Sequence, residues 1–414
     1  MYRFHLLEKS ENRGIIMRKR LKKKLPHMLL SATLVAGILS GCAGGESGSG
    51  GSGGGGDVIK IGANLELSGA VASYGQSIGK GVDLAVEEIN KDGGIDGKKI
   101  EVVKIDNKSD AAEATNAAIK LTSQEKVTAI IGAATSGNSV AQVQIADDNK
   151  TVLLTPSGTS PNVTVGTNNK VNEFIFRTCF IDPFQGTVAA NFAAKDLKVK
   201  NAAIFADSAS DYAKGLAASF KETFEKAGGK VVAEEAYVAK DTDFRSTLTR
   251  IKAANPEFVF IPGYYEEVGL IIKQAREMGI KAPFMGGDGW DSPKLIELAG
   301  ADALNNTFIT NHYSSGDPDE KIQKFVEAFK AKNKDQSPDA FNALGYDSVY
   351  LLADAIKRAG STDSTKIKDA LAETKDLSLV SGNFTIDENH NPIKTATVLE
   401  YKDGKQVFKT KINP

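Results

Sequence analysis

The sequence predicts an α/β fold of two doubly wound, Rossmann-like lobes joined by a multi-strand hinge. Short β-branched runs alternate with stretches of helical periodicity. That alternation occurs twice, in series of similar size. Long elements follow the second series, so the chain crosses between lobes more than once. Strand–helix–strand alternation makes a parallel sheet covered on both faces.

In the first series the predicted strands are 58–63, 100–105, 127–131 and 152–154, and helical periodicity falls at 81–90, 111–121 and 139–147. In 81–90 the apolar residues Val82, Leu84, Ala85, Val86 and Ile89 outline one face. The second series has predicted strands 202–205, 230–236, 258–261 and 284–286, with helices at 212–227, 244–254 and 267–278. Two helices at 321–332 and 341–359 and a strand-like tail at 395–401 and 406–412 complete the chain. Open α/β sheets bind ligands beyond the carboxyl ends of their strands, so two lobes facing each other would form a cleft.

The 414 residues are 41% hydrophobic and 25% charged, an ordinary globular balance with chain enough for two domains. Residues 1–41 carry 9 of the 51 Lys and Arg and 2 of the 52 Asp and Glu, which leaves 42 basic and 50 acidic residues, a net charge of −8, in the rest. An acidic folded part argues against a nucleic-acid partner, which needs a basic face. There are two cysteines, Cys42 and Cys179, and no disulfide framework is expected.

Met17 is a better start than Met1, because Glu8 and Glu11 are out of place in a signal n-region. Arg18, Lys19, Arg20, Lys22, Lys23 and Lys24 form a positive n-region, and the apolar stretch 28–39 suits a signal h-region better than a membrane span. Leu39-Ser40-Gly41-Cys42 resembles a bacterial lipobox, with Cys42 diacylated after cleavage; the alternative is an ordinary signal peptide that contains a cysteine. Two acyl chains anchor stably where one does not. Residues 43–56 are almost all Gly and Ser, a flexible tether. The G-x-G-x-x-G match at 48–53 and the G-x-S-x-G match at 50–54 are accidents of composition, since neither follows a strand or opens a helix.

Hydroxyl- and glycine-rich segments follow the predicted strands. Gly132 to Ser139 includes Thr135 and Ser136, and Thr155 to Ser160 includes Ser157, Gly158 and Thr159. Hydroxyls with N–H groups at a helix start suit a carboxylate; as plain helix caps they would do no more than end the helix. Asp288 lies between Gly287 and Gly289 at a strand end, placed to meet a cation or to serve as a turn aspartate.

Asn64-Leu65-Glu66-Leu67-Ser68-Gly69 with Tyr74-Gly75, Gly81 to Ala85 and Ile89-Asn90 resembles the opening of the branched-chain amino-acid-binding proteins of ABC importers. The similarity runs on through Ile131-Gly132-Ala133, Thr155-Pro156-Ser157, Arg177-Thr178, Gln185-Gly186, Gly263-Tyr264, Met285 to Gly289 and Gly345-Tyr346-Asp347, covering nearly all of 58–414 in order. It implies the type I periplasmic-binding fold, with one lobe from 57–178 and 311–386 and the other from 179–310 and 387–414. It implies that Ser136 and Thr159 hold an α-carboxylate. The Ser157 carbonyl, the Thr159 hydroxyl and Asp288 would hold the α-ammonium, with Gly158 and Gly289 in the loops that carry them. Tyr212 and Tyr264 would reach in from the second lobe, Tyr74 and Phe341 would wall the side-chain pocket, and Trp290 would join them.

This chain has Asp288 where many leucine-type receptors have Glu, and the shorter acid shifts the ammonium or admits a water. It has Asp106, Asn107 and Thr135 where some relatives have a first-lobe disulfide. Cys179 is expected to be a packed small residue. The implied ligand is a free amino acid with a small or branched apolar side chain (Leu, Ile, Val or Ala). The implied partners are ABC permease subunits and, through the lipid anchor, the membrane. No cofactor or metal is expected, and the chain is expected to be monomeric. Two alternatives share the fold: a sensor presenting its ligand to a membrane receptor, and a binder of another small amide or carboxylate. Catalysis finds little support, since the mature region has only His312 and His390 and neither belongs to a nucleophile–His–acid pattern or a metal-spaced cluster.

Overall fold

The computed structural model describes residues 58–414. The signal, the lipobox with Cys42 and the Gly/Ser stretch therefore lie outside the described residues.

Five parallel strands form the first sheet: β1 (Ile59–Leu65), β2 (Ile100–Asp106), β3 (Ala129–Gly132), β4 (Val152–Thr155) and β5 (Ile175–Arg177), in the order β2-β1-β3-β4-β5. Alternate residues feed opposite faces. Ala129 and Ile131 pack with Ile59, Ile61 and Leu65 on one side, while Ile130, Leu153 and Ile175 pack with Leu121 and Ala146 on the other. Both faces are covered, as the unbroken apolar runs predict.

Another five strands open the second sheet: β6 (Asn201–Asp207), β7 (Lys230–Tyr237), β8 (Phe258–Phe260), β9 (Phe284–Gly286) and β10 (Thr307–Asn311). Their order, β7-β6-β8-β9-β10, repeats that of the first sheet. Each sheet thus has a switch point, between β1 and β3 and between β6 and β8, where flanking connections diverge and leave a crevice.

A small antiparallel sheet follows: β11 (Leu377–Leu379), β12 (Gly382–Ile386) and β13 (Pro392–Ile393). The tail strands β14 (Ala396–Lys402) and β15 (Lys405–Ile412) extend the second sheet antiparallel beyond β10. Between β10 and β11 the helices Glu320–Lys332, Ala340–Ala359 and Ser364–Ala372 turn back to the first lobe. The chain thus passes between lobes after β5, after β10 and before β14. β13 pairs with β12 across the boundary expected at 386/387, so the last passage falls at Lys394-Thr395.

The helix expected over 81–90 begins earlier, at Ala72, and runs to Lys91. Gly75, Gly79 and Gly81 disguise its first half as turn sequence. Packing explains Gly81, because a Cβ there would lie 2.0 Å from the Asn342 carbonyl oxygen. Facing it, a Cβ at Gly345 would lie 2.4 Å from the Ile78 carbonyl. The two glycines let Ala72–Lys91 and Ala340–Ala359 approach backbone to backbone.

The passages are tied together. The buried Lys394 ammonium donates to the Ser381 hydroxyl at 2.6 Å and the Thr178 carbonyl at 3.3 Å. Burial pushes Lys394 down to about 8, against the pull of Asp347. Asp347 in turn accepts the Val380 and Ser381 N–H groups, and the Thr178 and Ser348 hydroxyls bond at 3.0 Å.

Candidate ligand-binding site

At the β1/β3 switch point the carboxylate of Glu66, just past β1, accepts four bonds. They come from the Ala134 and Thr135 N–H groups, the Thr135 hydroxyl and the Asn138 amide, at 2.9–3.1 Å. These bonds fix the turn into helix Ser136–Asp148, whose first residue, Ser136, faces the cleft. The Ser160 N–H donates to the Ser136 hydroxyl at 3.1 Å, and Ser157 donates to the Ala134 carbonyl at 2.8 Å. Arg177, fully buried, donates to the carbonyls of Gly158 and Ser160 and to the Thr164 hydroxyl, and so shapes the loop after β4 from behind.

From the other lobe, the segment after β9 brings in Asp288. Its N–H donates to Gln185 Oε1 at 2.7 Å, an atom that also accepts from the Thr310 hydroxyl. The Tyr212 hydroxyl donates to Asp288 Oδ1 at 2.9 Å and accepts from the Gly289 N–H at 2.9 Å. His312 Nε2 lies 3.0 Å from Asp288 Oδ2. Asp288 itself is buried.

Aromatic rings close the sides. Tyr74 stacks on Phe341 with centroids 4.3 Å apart, and Tyr212 stacks on Tyr264 at 5.1 Å. Phe341 is placed by the start of its helix, where the Ala340 N–H donates to Asp291 Oδ2 at 2.8 Å and Asp339 forms a capping box with Asn342. The walls are drawn together across the cleft. Tyr74 donates to the Gly289 carbonyl, the Tyr265 hydroxyl donates to the Ala70 carbonyl at 3.0 Å, and the Ser73 and Ser292 hydroxyls bond at 2.7 Å.

Together Tyr74, Ala134, Thr135, Ser136, Ser157, Tyr212, Tyr264, Asp288, Gly289 and Phe341 line one small cavity. Asp288 is the one formally charged side chain among these residues. The first lobe contributes the hydroxyls of Thr135, Ser136 and Ser157 and the helix start at Ser136 to the same cavity. An acid at one end and hydroxyls with a positive helix end at the other suit a zwitterion.

Eight of the ten residues that the family resemblance assigned to the ligand line this cavity. Gly158 and Thr159 do not. The Gly158 carbonyl is taken by Arg177, and Thr159 is fully buried with a hydroxyl that makes no hydrogen bond. Trp290 is also absent from the lining: it is buried in the second-lobe core and donates its indole N–H to the Ile261 carbonyl at 3.0 Å. Cys179 is a buried free thiol that burial pushes up to about 12, which leaves it inert. Glu66, Gln185 and His312 carry no local signal in the sequence for the roles they take here. Glu66 and Gln185 stood in motifs with no visible partner, and His312 was weighed only as a possible catalyst.

Two doubly wound lobes drawn together over a small polar-ended, aromatic-walled cleft define a clamshell small-molecule binding protein. The chain belongs to the periplasmic binding protein family, whose model matches residues 58–406. Over 356 residues it is 33% identical to the leucine-, isoleucine-, valine-, threonine- and alanine-binding protein of Pseudomonas aeruginosa, covering 86% of this chain and 92% of the relative. The crystal structure of a branched-chain amino acid transporter substrate-binding protein of Streptococcus pneumoniae in complex with isoleucine is 41% identical, with a TM-score of 0.81, covering 86% of this chain and all of that one. A leucine-binding protein from Thermotoga maritima is 38% identical with the same TM-score, covering 86% of this chain and 99% of its own.

Proposed function

We propose that this protein captures a free α-amino acid with a small or branched apolar side chain outside the cytoplasmic membrane and delivers it to the permease subunits of an ABC importer. Diacylated Cys42 and the Gly/Ser tether hold it at the membrane. One observation carries the reading: Asp288 is the only formally charged side chain in the cleft lining, and it shares that cavity with the hydroxyl-rich helix start at Ser136. A zwitterion leaving water must have both charges met by fixed partners, each charge-assisted bond contributing roughly 1.5–3 kcal/mol. In this reading Asp288 meets the ammonium, Ser136 and the neighbouring N–H groups meet the carboxylate, and Tyr74, Phe341 and Tyr264 take the side chain. No Lys or Arg lines the cleft, so an acidic side chain has no counter-charge there. The relatives from P. aeruginosa, S. pneumoniae and T. maritima, named or crystallised with such amino acids, support the same class.

The test is a panel of the twenty amino acids in thermal denaturation. Ligands that bind only the native state stabilise it by about 2.7 kcal/mol at a hundredfold excess over Kd. Leucine, isoleucine, valine or alanine is expected to raise Tm, and a flat response across the panel refutes amino-acid capture. For the anchor, Cys42→Ala is expected to move the protein from the membrane fraction to the soluble fraction of cells.

A further inference from the structure

Among the described residues the Asp288 carboxylate is held by two hydrogen-bond donors and no cation. Tyr212 serves Oδ1 and His312 serves Oδ2. His312 follows β10, on the second passage between lobes, and its ring stacks on Phe180 with centroids 3.8 Å apart. The side chain is 1% exposed. Its other nitrogen, Nδ1, makes no hydrogen bond.

An ionised carboxylate only accepts hydrogen bonds, so a neutral imidazole facing it carries its proton on Nε2. Burial pushes the His312 imidazole down to about 4, against the upward pull of Asp288 and helped by Lys394. The ring is therefore neutral at physiological pH. Among the described residues no cation bonds the Asp288 carboxylate: Lys394, which acts on the His312 ring, donates to Ser381 and Thr178 instead. Burial holds the Asp182 carboxyl and the Tyr212 and Tyr74 hydroxyls well above their usual ranges, and holds Tyr264 and the Cys179 thiol up as well. The negative charge of Asp288 is thus oriented but not neutralised by the groups that hold it.

We infer that His312 is a positioning and specificity-determining residue for the ammonium end of the ligand: its neutral Nε2–H fixes the Asp288 carboxylate and leaves its charge for the ligand. This rests on the proposed capture of an amino acid. A lysine or arginine at the same place would neutralise Asp288, and an apolar residue would leave Oδ2 unpaired and the short acid free to turn. His312 does not line the cleft, so it acts on the ligand only through Asp288.

The test is calorimetric titration of the full chain and its variants with leucine and with 2-hydroxy-4-methylpentanoate, which replaces the ammonium by a neutral hydroxyl. His312→Phe keeps a ring on Phe180 and removes the donor; His312→Leu is the second choice if the first does not fold. The expected result is a loss of leucine affinity of about tenfold or more, the size of one charge-assisted bond, with a much smaller loss for the hydroxy acid. His312→Gln, whose amide supplies a neutral donor, is expected to restore leucine binding to within about threefold. Unchanged leucine affinity in His312→Phe overturns the inference, and so does an equal loss for both compounds, which would mark a merely structural role. A wild-type protein that binds no amino acid at all removes the functional reading and this inference together, an outcome distinct from either of those.

Discussion

The hydroxyl of Tyr74, on the first lobe, donates to the carbonyl of Gly289, on the second. The bond spans the cleft beside the carboxylate of Asp288, so it exists only while the lobes are together. A ligand shifts a two-state equilibrium by its differential affinity for the two states, and a bond unique to the closed state biases that equilibrium before any ligand arrives. Tyr74→Phe keeps the stack on Phe341 and removes the bond. A typical hydrogen bond contributes about 0.5–1.5 kcal/mol net, so amino-acid affinity should fall roughly 2- to 12-fold. Calorimetry measures the affinity, and small-angle scattering should show the unliganded variant more open than wild type.

Asp288→Asn preserves shape and removes the charge. With the Tyr212 and His312 donors left facing a neutral amide, the ammonium loses its counter-charge. Truncating one side of a buried, hydrogen-bonded charge pair costs about 2–5 kcal/mol, so binding should weaken by roughly thirtyfold at least. The unliganded protein should lose no more than about 1–3 kcal/mol, the cost of one buried donor left facing the amide nitrogen, since among the described residues no cation pairs with this carboxylate. Affinity that survives the substitution in calorimetry would move the ammonium site elsewhere.

Gly81→Ala should destabilise the first lobe. Its new Cβ would sit 2.0 Å from the Asn342 carbonyl oxygen, and that oxygen belongs to a helix backbone that cannot swing aside. Overpacking of this kind costs about 1–3 kcal/mol. A lower urea midpoint is the expected result, with Gly345→Ala behaving alike across the same contact.

These positions show what the sequence made legible. The apolar runs at Ile59, Ile130 and Leu153 mark strands buried on both faces, because apolar runs between polar turns have few other uses. The short β5 and β10 gave too little pattern: Ile175–Arg177 spans three residues, and the Thr307–Asn311 run mixes apolar and polar side chains that are all buried. Gly345-Tyr346-Asp347 stood out as a motif, but its reason, contact with a helix more than 250 residues earlier, is written in no local period. The same holds for the site. Ser136, Asp288 and Tyr264 were visible because each follows a strand. Gln185 and His312 were not, because a side chain that acts from behind another has no signature until the fold brings the two together.

The His312 pocket also makes a prediction about stability and pH. An unfolded imidazole titrates near 6.5, and burial pushes the folded one down to about 4. Between those values the unfolded chain binds more protons than the native one, so native stability falls as pH drops from about 6.5 toward about 4 and the loss levels off below. A shift of this size corresponds to at most about 3 kcal/mol. Carboxylates titrate in the same range, so wild type should be compared with His312→Gln, which has the carboxylates but no imidazole. Urea denaturation at pH 7, 6, 5 and 4 should show the wild type losing more stability than the variant over this range. A difference between the two that stays constant with pH would mean that the imidazole binds protons equally well in the folded and unfolded chain, contrary to its burial beside Phe180.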